Sequence, residues 1–157
     1  APAVETIGAA VGVSDDFLER TAVLSDAGVK IVCIDVAHGH HALVRYAIET
    51  LKRTFGDTIH VMAGNVATAK GFEDLCNWGA DSVRVGIGGG SICSTRIQTG
   101  HGMPTFQSVL DCAEISAGYL IRLSWNKRSG LTKDPAFLNS FWLGIIYPPP
   151  ANPTVFE

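Results

Sequence analysis

Within eleven residues, the run Gly86-Ile-Gly-Gly-Gly-Ser-Ile-Cys-Ser-Thr-Arg96 brings together bare backbone, hydroxyls, a thiol and a guanidinium. Glycines at 86 and 88–90 leave their N–H groups unobstructed by Cβ atoms, and with the Ser91 hydroxyl they can cradle an anionic phosphate. The alternative is a flexible turn. The run lacks the Gly-Lys-Ser/Thr of a P-loop and is out of register with Gly-x-Gly-x-x-Gly, so the phosphate reading rests on the glycines alone. Cys93 sits inside this loop, beside exposed N–H dipoles and near Arg96. Both favour the thiolate, which makes Cys93 the candidate nucleophile. The other cysteines read as inert core residues: Cys33 in an apolar run of strand length, Cys76 beside Leu75 in a helical pattern, and Cys112 after Leu110 in another. No Cys-x-x-Cys pair occurs, which argues against a disulfide framework and a zinc site.

Two further loops carry polar chemistry. Asp35-Val-Ala-His38-Gly39-His40-His41 offers a carboxylate that can accept two ribose hydroxyls or cap a helix. Its histidines have no matching carboxylate or cysteine set at ligand spacing, so no metal is expected there. Ala63-Gly64-Asn65-Val66-Ala67-Thr68 offers an amide that can bind a carboxamide or complete a turn before Thr68 caps the next helix.

These loops need elements that aim them at one another. Apolar runs of strand length occur at 7–12, 29–35, 59–64 and 82–86, each followed by a turn signal. Helical patterns fill the intervals: one after Ser14 as cap and ending at Gly28, one over 42–55, and one over 68–78 stopped by Gly79. The strand ends at Gly12, Asp35, Gly64 and Gly86 lie about 22 to 29 residues apart, the length of one strand-helix unit. Such a βαβα pattern predicts a parallel α/β sheet, either doubly wound or part of an eight-stranded barrel, with its site at the carboxyl ends of the strands. A full barrel takes about 250 residues, so this chain of 157 holds some five or six units of one. From about Ile121 the pattern turns irregular, and residues 148–150 and 153 are prolines.

Composition narrows the function. Hydrophobic residues make up 46% and charged residues 17%, with a net charge of −3, which excludes a disordered or collagen-like chain. Twelve Lys+Arg against 15 Asp+Glu, with no basic run, offers no surface for nucleic acid. No apolar stretch approaches the roughly 20 residues that cross a bilayer, so no membrane span is expected. The N-terminal residues lack a charged n-region and an apolar h-region, and the expected compartment is cytoplasmic.

The cysteine run closely resembles the cysteine loop of the IMP dehydrogenase and GMP reductase family. It is joined in order by Gly8-Ala-Ala-Val-Gly12, Ile34-Asp-Val-Ala-His-Gly39, Ala63-Gly-Asn-Val-Ala-Thr68 and Gly79-Ala-Asp-Ser-Val-Arg-Val85, covering about residues 7–115. The resemblance implies a partial (β/α)8 barrel over 1–121 followed by a divergent tail over 122–157. It also implies a purine mononucleotide attacked at C2 by Cys93, with Thr95 helping to activate water or the leaving ammonia. Gly90 and Ser91 match part of the phosphate loop, and Asp35, Asn65, Gly86 and Gly88 fall on the cofactor side. NAD is implied for a dehydrogenase and NADPH for a reductase. The backbone carbonyls of Gly88, Gly90 and Cys93 match a potassium loop, and the family implies a homo-oligomer, usually a tetramer.

Asp35-Val-Ala-His-Gly resembles the reductases, while the greater spread of the dehydrogenases favours oxidation of IMP to XMP. The chain departs from the family where an Ala-Asp-Gly-Gly segment, which grips ribose and phosphate, should follow Leu120-Ile121. Arg122-Leu-Ser-Trp-Asn126 stands there, and with later echoes of the family at Lys127-Arg-Ser-Gly130 and Thr154-Val-Phe-Glu157 the interruption reads as a local shift of reading frame or an error in the sequence. The alternative to an enzyme is therefore a silent fragment that binds nucleotide or assembles with other chains.

Overall fold

The computed structural model describes residues 7–90, 93–115, 120–125 and 142–147. Four strand-helix units come first: β1 (Gly8–Val11), α1 (Phe17–Asp26), β2 (Ile31–Asp35), α2 (Ala42–Phe55), β3 (His60–Val66), α3 (Ala69–Asn77) and β4 (Ser82–Val85), then α4 (Thr95–Thr99) and α5 (Thr105–Ile115). Strands β1 to β4 are parallel neighbours in sequence order. Register runs Ile31↔His60 through Asp35↔Gly64, then shifts between Gly64 and Val66 as β3 meets β4. That irregularity turns the end of β3 toward the β4 loop.

Alternation decides the two faces. Val32 and Ile34, Val61 and Ala63, and Val83 and Val85 are wholly buried beneath the helices. They meet Val44, Ala47, Ile48 and Leu51 of α2, Phe72 and Leu75 of α3, and Cys112 of α5. Each large aliphatic buried this way contributes roughly 1.5–3 kcal/mol. The intervening residues Cys33, Asp35, Met62 and Arg84 stand on the opposite face, which is where the polar chemistry collects.

The helix boundaries follow their caps. The Thr68 hydroxyl accepts from Gly71 N at 3.2 Å and opens α3. His41 opens α2, its Nδ1 accepting from Leu43 N at 3.1 Å. Ser14 does not cap α1: its hydroxyl donates to Asp16 Oδ1 at 2.7 Å, and Asp16 occupies the cap position. The short polar run 14–16 satisfies itself as a turn before the helix begins.

Among the described residues four parallel units are seen, of the five or six expected. Strands β5 (Leu120–Trp125) and β6 (Trp142–Tyr147) pair antiparallel, and β6 lies antiparallel beside β4, giving the order β1-β2-β3-β4-β6-β5. Residues expected to be irregular from 121 are thus strand through 125, and β5 runs across position 121. Their partner lies some twenty residues later, a pairing that no local pattern announces. No helix among the described residues is long and apolar enough to cross a membrane.

Gly64 is the tightest point of the sheet. A Cβ there would stand 2.7 Å from Arg84 Cβ and 2.8 Å from Arg84 O. Gly64→Ala should therefore lower stability by about 1–3 kcal/mol, read as a fall in the urea midpoint. An unchanged midpoint would contradict this spacing between β3 and β4.

Candidate active site

The loops after β2, β3 and β4 are stitched together before any side chain takes part. Val36 N donates to Gly64 O at 3.0 Å, Asn65 N to Val36 O at 3.0 Å, Gly39 N to Asn65 O at 2.7 Å, and Gly86 N to Val66 O at 2.7 Å. The result is an open cleft of about 300 Å³ lined by Asp35, Asn65, Gly86, Gly88, Cys93 and Thr95, among others. Residues from three separate loops, nearly sixty positions apart in the chain, thus share one wall. Gly90 borders the same loop, and Ser91 lies outside the described residues.

Cys93 is half-buried at the lip of this cleft. Hydrogen bonds from the Thr95 hydroxyl and the Thr95 backbone N–H hold its thiol below the ordinary range, and the Arg96 charge adds to them. The nucleophilic form of a thiol is the thiolate, and these contacts favour it at Cys93. Burial does the opposite elsewhere. It pushes the Cys112 thiol up to about 12 and raises that of Cys33 despite the Arg84 guanidinium 3.3 Å away.

Asp35 lines the same cleft as Cys93 and does not cap α2, which His41 opens. Its Oδ1 accepts from Arg84 Nη1 at 2.8 Å. Arg84 projects from β4 on the polar face and reaches two strands over, passing the bare Cα of Gly64. Sequence reading missed Arg84. The available signal was an arginine between Val83 and Val85, two strand residues that face the core, with a glycine inside the neighbouring strand marking a close approach.

Asn65 is oriented by its own amide: Nδ2 donates to Gly86 O at 2.9 Å. Its Oδ1 is buried and has no hydrogen-bond partner among the described residues. A buried acceptor left open in this way calls for a donor. The histidines take structural places. His40 Nε2 lies 2.9 Å from Asp74 Oδ2, the His38 ring rests against His40 with centroids 6.4 Å apart, and His41 caps α2. No group of three or more His, Cys, Asp or Glu among the described residues could hold a metal ion.

The glycine run is used from inside as well as from the cleft. Gly86 and Gly88 have φ of +130° and +73°, conformations that other residues rarely adopt. A Cβ on Gly86 would stand 3.0 Å from Thr105 Cγ2, and one on Gly89 would overlap the Thr105 hydroxyl. The Gly90 carbonyl accepts from Cys93 N at 3.1 Å and from Arg96 Nη2 at 3.4 Å, which engages both of its lone pairs. A potassium ion on this oxygen would contend with a guanidinium, so the loop as it stands does not fit that cation.

A second cleft of about 310 Å³, lined by Ser14, Asp16, Arg20 and Asp35, opens beyond β1. Asp35 borders both cavities.

The IMP dehydrogenase / GMP reductase domain model matches residues 3–124. The chain is 49% identical over 109 residues to the inosine-5'-monophosphate dehydrogenase of Nitrosopumilus maritimus, a match covering 69% of this chain and 23% of that protein. It is 42% identical over 111 residues to the GMP reductase of Leishmania major, covering 70% of this chain and 23% of that one. Among solved structures, GMP reductase from Trypanosoma brucei in complex with guanosine 5'-triphosphate superimposes with a TM-score of 0.68 at 38% identity, over 71% of this chain and 27% of that one. The chain thus spans about a quarter of the length of the curated relatives it matches. With its cysteine loop, its parallel strand-helix units and the polar ends of those strands in the family's order, the chain belongs to the IMP dehydrogenase / GMP reductase family.

Proposed function

We propose that these residues form the nucleophile and cofactor half of an IMP dehydrogenase-type site, in which Cys93 bonds covalently to purine C2. The observation that supports this reading is that Cys93, whose thiol is held below the ordinary range, lines a single cleft with Asp35 and Asn65.

The thiolate adds to C2 of the mononucleotide, and hydride leaves C2, so that a thioimidate joins Cys93 to the purine. Water then adds to that carbon and the thiol departs, giving XMP. Thr95 holds the attacking water in this reading, which its hydrogen bond to the thiol supports. A bound nicotinamide dinucleotide supplies the hydride acceptor. The orphaned Asn65 Oδ1 fits a carboxamide N–H, and the Asp35 carboxylate, steadied by Arg84, fits ribose hydroxyls. Because Asp35 borders both clefts, a ligand with two nucleotide halves could lie across it. Gly90 and Ser91 would meet the substrate phosphate. No step is assigned to potassium.

GMP reductase chemistry is the second reading, favoured by the GMP reductase relatives and by Asp35-Val-Ala-His-Gly. There the same thiolate adds at C2 and ammonia leaves; a bound NADPH would supply the hydride that C2 takes up before the thiol departs with IMP as product.

Incubation with a 6-chloropurine mononucleotide, followed by peptide mass spectrometry, should show one adduct per chain, on Cys93. Adducts on Cys33 or Cys112 would overturn the reading. Absorbance at 340 nm, with IMP and NAD and then with GMP and NADPH, separates the two directions: a rise in the first marks the dehydrogenase, a fall in the second the reductase. Asp35→Asn should weaken dinucleotide binding by about tenfold, the effect of one charge-assisted hydrogen bond, measured by calorimetry.

A further inference from the structure

The segment that carries Cys93 has few contacts of its own with the core: α4 is five residues long and none of them is buried. Something else must hold it over the cleft, and Arg96 is placed to do so. Its aliphatic stem passes between two glycines. A Cβ on Gly88 would stand 2.6 Å from Arg96 Cγ, and one on Gly102 2.5 Å from the same atom. Neither site has room for any side chain while the stem is there. Beyond the stem, Nη2 reaches the Gly90 carbonyl at 3.4 Å, the same oxygen that accepts from Cys93 N. The return loop is tied at the same level, with Gly100 N on Arg96 O at 3.0 Å and Met103 N on Ile87 O at 3.0 Å. One side chain thereby touches the strand end, the loop apex and the return loop.

We propose that Arg96 is a positioning residue whose stem, clasped between Gly88 and Gly102, and whose guanidinium, on the Gly90 carbonyl, hold the Cys93 loop against the end of β4. The inference rests on Cys93 being the reacting thiol, but its geometry requires no nucleotide. The guanidinium stands where the loop's carbonyl needs a positive partner, so the chain supplies that charge from its own sequence. Two features of the sequence then share one cause: the glycine at 102 and the arginine three residues after the cysteine are halves of one clasp.

The test uses the full 157-residue chain without ligand. Two readings are made on each variant: the rate of Cys93 alkylation by iodoacetamide at neutral pH, and amide hydrogen exchange at Cys93 and Met103. Arg96→Met should slow alkylation about fivefold, because the released loop no longer holds Cys93 against its Thr95 partners, and should expose both amides while those of β2 and β3 stay protected. Arg96→Lys, which keeps stem and charge, should recover most of the rate. Gly102→Ala, which displaces the stem and leaves the charge in the chain, should reproduce the methionine variant's losses. Should Arg96→Met also strip protection from β2 and β3, Gly102→Ala decides alone. Rates and protection at both amides unchanged in Gly102→Ala, or Arg96→Lys as slow as Arg96→Met, would overturn the proposal. A failed chloropurine adduct beside intact Arg96 effects would instead count against the nucleotide reading only.

Discussion

The missing side chain at Gly64 is the constraint on which the arrangement at the strand ends depends. With any Cβ there, β3 could not lie against β4 as it does, and Arg84 could not pass over it to reach Asp35. The same approach lets the register shift between Gly64 and Val66, which brings Asn65 within 2.9 Å of Gly86 O and orients its amide. Three loops far apart in sequence converge because one position in the central strand is bare. The buried face of that strand carries Val61 and Ala63 into the common core, so packing and site geometry are set by alternate residues of the same seven.

The two faces of the sheet divide the work. Beneath the helices, aliphatic burial supplies stability without any specific chemistry. On the opposite face, Cys33, Asp35 and Arg84 form a polar group, and the loops beyond it hold the cleft. This division explains why Cys33, Cys93 and Cys112 differ so much. Cys112, on the buried face of α5, is held protonated by its surroundings, while Cys93 is drawn toward the thiolate by Thr95. Reactivity follows position in the fold, since the thiols are chemically identical.

Much of this was legible in the residues. Period-two and period-3.6 patterns located the strands and helices of the parallel half, with α2 matching its expected bounds, because those patterns report local burial. The cysteine loop and the polar strand ends were also readable, since glycine, cysteine and carboxylate in such positions have few other uses. Three things were not. Arg84 acts through a contact across three strands, which no window on the sequence contains. Ser14 satisfied Asp16 instead of a helix terminus, a choice between two equally local hydrogen bonds. Strands β5 and β6 depend on each other at long range, so the segment from 120 to 125 showed no signal by itself. The engagement of the Gly90 carbonyl by Arg96 likewise emerges only once a side chain is seen to fold back on its own loop.

The measurement that tests the account most directly is the alkylation rate of each cysteine in the native chain as a function of pH, resolved by mass spectrometry of the four cysteine peptides. Cys93 should react first, with a midpoint below that of an ordinary thiol, because its folded surroundings favour the thiolate; Cys112 should stay unreactive through pH 9, well under its value of about 12. A Cys93 rate no faster than that of Cys33, or a midpoint at or above the ordinary thiol range, would contradict the claim that this loop builds a nucleophile.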